Sequence, residues 1–458
     1  MTRTDGKRTR NTRVQIFGMR NVGLVFGLCY AAICHAHSGE AFNNAIQSAG
    51  FRVPPEWISE LPPNIQAKAY RAWQEAPPTP PVTPPKTEQQ LEEEDNKYYE
   101  GLDPKHRQDL INDVKLGRSV VKEIKSELKE SASTNMTERV RRIGKELSEI
   151  ANKNAVDVTW GDKRLNPFRY EFTVIEGTDV NAFSIPGGFI YVYEGLLNYT
   201  ETDHELAGVL AHEISHASFR HIATLQREQS RLNAITLPLI LIGLLAGGEA
   251  GTGIAVASDL ASRAIGSGWS VKAEKSADFG GYQYIRNSNY EPVGLLTFME
   301  RLNFDDRGTG RVDWGIYKSH PPSRERVSAF LAMLQDAKAP IRRSLSSTTL
   351  RAIPVEERDA TYSIKLMNRI VARLAGENAA DRSVQLAGEL DNLFDDVPSV
   401  SDFESRPDGS VYAKGQLIFR PSSSDIEMAK KPGSEIAAGI VKTLKAAAFE
   451  LRYRLWDN

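Results

Sequence analysis

Two histidines four residues apart carry the clearest chemical signal in this chain. Residues 212–216 read His-Glu-Ile-Ser-His. Side chains at this spacing share one face of an α-helix, so the imidazoles of His212 and His216 can reach a single metal ion. Glu213 projects beside that ion, where its carboxylate can deprotonate a bound water. The pattern predicts a zinc hydrolase, and the alternative is a pair of helix-surface histidines around a solvated glutamate.

A carboxylate further along the chain is expected to complete the metal site. A third histidine ten residues after His212 would indicate another group of zinc proteases, but His221 lies one residue too early. We therefore interpret His221 as a surface or packing histidine. Glu274 can bind the metal, and Asp278, one helical turn later, can accept a hydrogen bond from a ligand histidine.

A helix must carry the two histidines, and a small sheet is expected before it. Thr202 and Glu205 can form a capping box, which predicts a helix from near Thr202 to about Gln229. Apolar periodicity predicts helices within 106–150 and strands at about 168–174, 181–186 and 189–193.

Five ordered segments of the chain resemble metallopeptidase family 48. With the number of the first residue, they are Asn-Ala-Phe-Ser-Ile-Pro-Gly-Gly-Phe-Ile-Tyr-Val at 181, Gly-Leu-Leu at 195, Glu-Leu-Ala-Gly-Val-Leu-Ala-His-Glu-Ile-Ser-His at 205, Glu-Lys-Ser-Ala-Asp at 274 and Ser-His-Pro-Pro-Ser-Arg-Glu-Arg at 319. This family includes the CAAX prenyl proteases, the HtpX membrane proteases and the bacterial β-barrel assembly-enhancing protease. The resemblance covers about residues 105–335 and is nearest to the exported, periplasmic branch.

The resemblance implies a fold and a set of roles. The fold is α+β and mainly helical, a zincin-like domain with a small β-sheet hairpin and an active-site helix. One zinc ion per chain would be held by His212, His216 and Glu274. Glu213 would be the general base, and Asp278 would support a ligand histidine.

A further histidine is implied to lie near the metal. His320, in a His-Pro-Pro segment, would either steady the oxyanion or occupy the open coordination position in a latent form. The alternative is a histidine that only orders a proline turn.

The strands before the helix are expected to bind substrate. Asn181, Ala182, Phe183 and Phe189 would lie on edge strands, to which an extended peptide adds by backbone pairing. Equally, Asn181 and the glycines at 187 and 188 would serve only the hairpin.

The first hundred residues predict export and a spacer. Basic residues precede an apolar run at 22–34, which is typical of a signal peptide over residues 1–36, cleaved after Ala36. An uncleaved membrane anchor is the alternative, and Met19 is an alternative start. Residues 37–104, rich in proline, are expected to be a disordered linker.

Two further regions differ from the catalytic one, which is expected to span 105–345. Residues 237–254 are apolar and glycine-rich, which suggests a mobile lid or a peripheral membrane contact, or else a buried loop or helix pair. Residues 346–458 are expected to form a small α+β domain of unknown role, without a tetratricopeptide pattern. Within it we predict helices at 361–375, 383–395 and about 436–455, and a strand pair in 410–419 that turns at Lys414-Gly415.

The composition of the chain excludes some classes of protein. The net charge of −2 argues against nucleic-acid binding through bulk electrostatics, and two cysteines exclude a disulfide scaffold or a cysteine-based zinc finger. We predict an exported, periplasmic zinc endopeptidase that cleaves unfolded or misassembled envelope proteins, with protein substrates in extended conformation and outer-membrane or envelope assembly partners. The rivals are a chaperone-like binding protein with a latent or structural zinc site, and a wall-associated structural protein. A secreted or membrane-associated location is the alternative to the periplasm.

Overall fold

The computed structural model describes residues 86–228, 269–309 and 324–455. The chain divides into two compact units, Met1–Leu91 and Glu92–Asn458, and the second contains all strands and nearly all helices of the described residues. Within these residues, no helix is both long and apolar enough to cross a membrane. The expected signal peptide, the proline-rich segment up to residue 85, the segment 237–254 and His320 lie outside the described ranges.

Three helices precede the first sheet: α1 (Glu88–Tyr98), α2 (Pro104–Glu127) and α3 (Thr134–Ala151). Helix α1 falls inside the segment expected to be a disordered linker, so that prediction is wrong for its last part. The reason is an ionic contact that composition does not reveal. Asp95 of α1 is fully buried, and its carboxylate binds Arg118 of α2 at 2.6 Å and also Arg169.

The first sheet has three strands, β1 (Glu171–Ile175), β2 (Ala182–Ile185) and β3 (Phe189–Tyr193), in the order β1–β3–β2. Strand β3 pairs in parallel with β1 and antiparallel with β2. Phe189, predicted on an edge strand, lies in the central strand instead, because β1 occupies the side that a plain hairpin would leave open. In the turn, Gly187 has a φ of +89° and lies so close to α2 that a Cβ atom would be 2.7 Å from Cα of Val114.

The sheet is covered on both faces. One face joins α3 and the later helices in the main core, which includes Leu147, Val192 and Leu210. The other face packs against α2, where Val120 and Ile124 lie against aromatic residues of β2 and β3. All five residues of β3 are therefore buried.

The helix expected from Thr202 onward forms, but it ends early. After α4 (Glu194–Tyr199), helix α5 covers Asp203–Ser218 and α6 covers His221–Glu228. The two are separated because Arg220 adopts a left-handed φ of 51°. Thr202 caps α5 as predicted, accepting a hydrogen bond from the N–H of Glu205 at 3.2 Å. The carboxylate of Glu205, however, accepts from the N–H of Glu201 rather than from that of Thr202.

Three further helices follow: α7 (Trp269–Ile285), α8 (Val293–Thr309) and α9 (Arg324–Asp336). Helices α7 and α8 pack directly against α5, and α9 packs against α7 and α8. Helix α7 can run close along α5 because two of its glycines, Gly280 and Gly281, face α5. A Cβ atom at Gly280 would lie 2.3 Å from the ring of Phe219 and 2.7 Å from Oγ of Ser215. This close approach brings the carboxylates of α7 to the histidines of α5.

The C-terminal region has its own core and two antiparallel three-stranded sheets. Its elements are α10 (Arg343–Ser346), β4 (Ile353–Glu356), β5 (Tyr362–Leu366), β6 (Arg369–Leu374), α11 (Ala379–Asp395), β7 (Phe403–Ser405), β8 (Val411–Ala413), β9 (Gln416–Phe419), α12 (Ser423–Ala429) and α13 (Gly433–Leu455). The α+β, mainly helical class predicted for the chain is confirmed.

One of the predicted C-terminal helices is wrong. Residues 361–375 form the hairpin of β5 and β6 instead, because Met367 and Asn368 take φ values of 49° and 60° and turn the chain back on itself. The turn at Lys414 and Gly415 is confirmed, with φ values of 49° and 80°. The last helix is also confirmed.

The C-terminal region is bonded directly to the helices that precede it in the chain. The guanidinium of Arg343 binds the carboxylate of Glu300 of α8 at 2.8 and 2.9 Å, and both are buried. The carboxylate of Glu201 accepts hydrogen bonds from the hydroxyls of Ser347 and Thr349. The hydroxyl of Thr202 donates to the carbonyl of residue 346 at 2.7 Å.

Candidate metal centre

Three side chains of α5 and α7 meet at one point. Nε2 of His212 lies 3.0 Å from Nε2 of His216. One carboxylate oxygen of Glu274 lies 3.2 Å from Nε2 of His212, and the other lies 3.3 Å from Nε2 of His216. The three residues offer ligand atoms that all lie within 4.8 Å of one another.

This arrangement fits a zinc ion. In a tetrahedral site with zinc–nitrogen distances of about 2.0–2.1 Å, neighbouring ligand atoms lie roughly 3.3 Å apart. The separations among His212, His216 and Glu274 are close to this value. Two imidazoles and one carboxylate are also a donor set of catalytic zinc sites, which keep the fourth position for water or substrate.

Asp278 supports the first histidine, on the side away from the metal ligands. Its Oδ1 lies 2.9 Å from Nδ1 of His212. Burial alone would lower the pKa of His212, but the carboxylates of Asp278 and Glu274 raise it to about 9. Burial likewise raises the pKa of Asp278, but Arg326 and His212 outweigh it and hold that pKa below its usual range.

Arg326 is a site residue that the sequence motifs did not identify. Its guanidinium donates to both carboxylate oxygens of Asp278, at 2.7 and 2.9 Å, and reaches Glu274 at 2.9 Å. It is the last residue of the Ser-His-Pro-Pro-Ser-Arg-Glu-Arg segment. A signal that could have found it is electrostatic, because two carboxylates one turn apart in a buried site require a cation.

His221 is the second residue whose place the spacing does not predict. It is buried, as a packing histidine would be, but its Nδ1 lies 2.9 Å from Nδ1 of His216. Burial, followed by the neighbouring His216, lowers the pKa of His221 well below 6.5. The spacing did not include it among the candidate ligands, and nothing in the spacing indicated that α5 ends at residue 218 and that the ring turns back toward the site.

Glu213 lies on the same helix as the two histidines, and the predicted strand residues lie in the hairpin of β2 and β3. Glu213 is buried on α5, and its charge contributes to the raised pKa of Arg326, for which burial is the largest, opposing cause. Ala182 and Phe183 lie on β2, the terminal strand of the sheet opposite β1, and both are buried. The carbonyl of Asn181 accepts from the N–H of Tyr193, which is the hairpin role. Binding of a peptide at this strand stays a prediction.

Comparison with known proteins finds a family model that matches part of the chain. The sequence model of the family described as Peptidase family M48 matches residues 139–334. This range contains α5, α7 and all but the last two residues of α9. It therefore includes the three candidate metal ligands, the candidate base Glu213, and the supporting residues Asp278, Arg326 and His221.

Named relatives agree with this match over limited parts of their length. The chain is 31% identical to the beta-barrel assembly-enhancing protease of Yersinia pestis over 191 residues, which are 41% of this chain and 35% of that protein. It is 30% identical to the protein of that name from Escherichia coli K12, over 33% of this chain and 30% of the relative. It is 28% identical to the metalloprotease LoiP of Escherichia coli K12, over 40% of this chain and 67% of LoiP. The chain thus spans about a third of the length of the first two.

Proposed function

We propose, on the premise that residues 139–334 are a peptidase family M48 domain, that this protein is a zinc-dependent endopeptidase. The observation that carries the proposal is the meeting of His212, His216 and Glu274 at separations of 3.0–3.3 Å. Zinc bound there would polarise the scissile carbonyl and acidify a water molecule.

The residues of the chain supply the proton transfers and hold the ligands. Glu213 accepts the proton of the attacking water and returns it to the nitrogen of the leaving amine. Asp278 accepts a hydrogen bond from Nδ1–H of His212 and so leaves Nε2 of that ring available to the metal. Arg326 neutralises Asp278 and Glu274, which would otherwise place two adjacent negative charges in a buried site.

The proposed substrates are protein chains in extended conformation. Strand β2 is terminal in its sheet and packs against α5, the helix that carries both histidines. An extended peptide that adds to this strand would lie beside the metal position. His320, which lies outside the described residues, is proposed from the family resemblance alone to act as a latch or as a donor to the oxyanion.

The proposed setting is the periplasm, with unfolded or misassembled envelope proteins as substrates and envelope assembly factors as partners. Two of the matched relatives are named for the enhancement of β-barrel assembly, which supports this setting. The basic residues and apolar run before residue 36 support export.

The test compares the parent with Glu213→Gln and Glu205→Gln, two equally buried carboxylates of the same helix. The parent should bind about one zinc per chain and cleave an unfolded protein such as casein. E213Q should keep the zinc and lose cleavage by roughly 10²–10⁴-fold, because it removes general-base catalysis. E205Q should retain cleavage in whatever fraction remains folded.

A second measurement separates the rival, chaperone-like function. If E213Q cleaved casein as fast as the parent, Glu213 would not be the base and the proposed reaction would be wrong. The parent could instead show no cleavage, while the parent and E213Q suppress the aggregation of unfolded proteins equally well. The chaperone-like binding function would then replace the proposed endopeptidase. Envelope proteins that accumulate in cells carrying E213Q would identify the natural substrates.

A further inference from the structure

We propose that His221 is a positioning residue for the metal centre. Its Nδ1 accepts a hydrogen bond from Nδ1–H of His216, and this bond holds the second ligand ring in the tautomer and orientation that present Nε2 to zinc. The proposal rests on the zinc site of the proposed function and assigns a role to a residue outside the ligand set.

The two nitrogens of His216 face different groups. Its Nε2 lies 3.0 Å from Nε2 of His212 and 3.3 Å from Glu274. Its Nδ1 lies 2.9 Å from Nδ1 of His221, which is a normal hydrogen-bond distance. A neutral imidazole carries one N–H, so a ring that binds metal through Nε2 must carry its proton on Nδ1. His216 is then the donor, and Nδ1 of His221 is the acceptor.

The two ligand histidines therefore have unlike supports. Nδ1 of His212 faces a carboxylate, that of Asp278, whereas Nδ1 of His216 faces an imidazole. Ligand histidines in general donate their second N–H to a carboxylate, a backbone carbonyl or water. A neutral acceptor at His216 gives orientation without adding another buried negative charge to Glu213, Glu274 and Asp278.

The backbone turn after α5 fixes the ring of His221. Arg220 stands at a φ of 51°, and its guanidinium binds Asp113 at 2.5 Å and Asp162 at 3.0 Å. These bonds anchor the residue beside His221 to α2 and to the loop that precedes the sheet. A non-glycine residue in this left-handed conformation is strained. The bonds of Arg220 to the two carboxylates offset the free-energy cost of this strain.

The loop at residues 160–161 closes over the same ring. The indole of Trp160 lies 5.0 Å from the imidazole of His221, centre to centre. Gly161 has a φ of +114°, and a Cβ atom there would lie 3.0 Å from Cδ2 of His221. The ring is thus held by Arg220 from its own backbone and by this loop from the opposite side.

A packing role and a positioning role predict opposite orders for two variants. His221→Phe keeps an aromatic ring beside Trp160 but removes the acceptor. His221→Asn loses ring volume but places Oδ1 near the position of Nδ1, so it can still accept from His216. If the ring serves only packing, H221F is the milder change. If it positions His216, H221N is the milder one.

The experiment measures zinc affinity of the full-length chain by competition with a chelator. We expect H221F to bind zinc roughly 10–100-fold more weakly than the parent, the range found when support of a ligand is removed. H221N should stay within about threefold of the parent, and the visible absorption of its cobalt-substituted form should match that of the parent. H221F should give an altered cobalt spectrum.

The control is His106→Phe. His106 is another buried histidine, whose Nε2 lies 2.7 Å from Oδ1 of Asn166, and it does not contact the metal ligands in the described structure. H106F should lower the free energy of unfolding and leave zinc affinity unchanged. Equal losses of zinc affinity in H106F and H221F would show that general destabilisation is the cause, and would overturn the proposal.

A measurement on the parent covers the case in which H221F fails to fold. In the zinc-loaded chain with ¹⁵N-labelled histidine, His221 should show the tautomer protonated on Nε2, and His216 the one protonated on Nδ1. A proton on Nδ1 of His221 would overturn the proposal. A parent that binds no zinc at all would instead overturn the proposed function, so the two failures are distinct.

Discussion

Arg326 and Arg343 are two buried arginines whose guanidinium groups bind carboxylates in nearly the same geometry. Arg326 binds Asp278 at 2.7 and 2.9 Å, and Arg343 binds Glu300 at 2.8 and 2.9 Å. The difference lies in the next contact. Asp278 also contacts His212, a candidate metal ligand, whereas the second pair joins α8 to the C-terminal region. Burial and charge pairing are therefore the same in the candidate site and in an architectural cluster, and the third partner of each cluster distinguishes them.

The largest expected difference between the two clusters is in metal binding. Glu274→Ala removes a candidate metal ligand, so zinc affinity should fall by at least about 100-fold and cleavage should cease. This loss should exceed the one caused by removing a residue that only supports a ligand histidine. Glu300→Ala leaves the charge of Arg343 buried without its partner, which should lower the free energy of unfolding by about 3–5 kcal/mol. Zinc content by elemental analysis and urea denaturation check both. Loss of zinc in folded E300A would break the comparison.

A smaller loss of zinc affinity is expected when the carboxylate of Asp278 is replaced by a neutral amide of the same shape. Asp278→Asn should weaken zinc binding roughly 10-fold, because a neutral amide polarises His212 less than a carboxylate does. Asp425→Asn is the matched control. Asp425 is equally buried and binds Arg382, but it lies in the C-terminal region. Chelator competition should show no change in D425N, and a comparable loss in D425N would mean that the effect is not local to the site.

The smallest expected effect is a pH dependence of the C-terminal region. Asp391 accepts from the backbone N–H of Ala352 instead of pairing with arginine in the manner of Asp278. Burial raises the pKa of Asp391 to about 6, so the folded state keeps a proton that the unfolded chain has lost. Its contribution to stability is full below about pH 4 and is lost as the pH rises through 6.

Asp391→Asn should remove this part of the pH dependence. The difference in urea midpoint between parent and D391N should change between pH 4 and 6 and stay constant above pH 7. Asp162 provides the contrast, because Arg164 and Arg220 outweigh its burial and lower its pKa, so its stabilisation is lost as the pH falls. A difference that did not vary with pH would show that Asp391 has the same pKa in the folded and unfolded chain.

The residues of the candidate site differ in how far the sequence could identify them. His212, His216 and Glu213 follow from a single helical spacing, and Glu274 and Asp278 from a second one. Arg326 and His221 do not follow from spacing, because their positions depend on how α9 packs and on where α5 ends. The end of a helix depends on local backbone conformation, here the left-handed conformation of Arg220. Apolar periodicity does not predict that conformation.

The fold shows the same limit. The hairpin of β2 and β3 was predictable because two glycines mark its turn, and so was the turn at Gly415. The hairpin at Met367 and Asn368 carries no glycine, and its apolar residues fit a helical period as well as an alternating one. Parallel pairing of β1 with β3 joins strands separated in sequence, which local patterns do not reveal.

The bonds from the start of α5 to residues 346–349 bear on where this protein can be divided. A fragment ending at residue 345, the boundary that the sequence suggests, would lose the hydroxyls that donate to Glu201 and the carbonyl that accepts from Thr202. The helix that carries both histidines would then keep its cap at Thr202 but lose the contacts that join this cap to the C-terminal region. An expression fragment intended to keep catalysis should therefore extend past residue 350. A different C-terminal module fused after this region would also have to provide its own donors for Glu201.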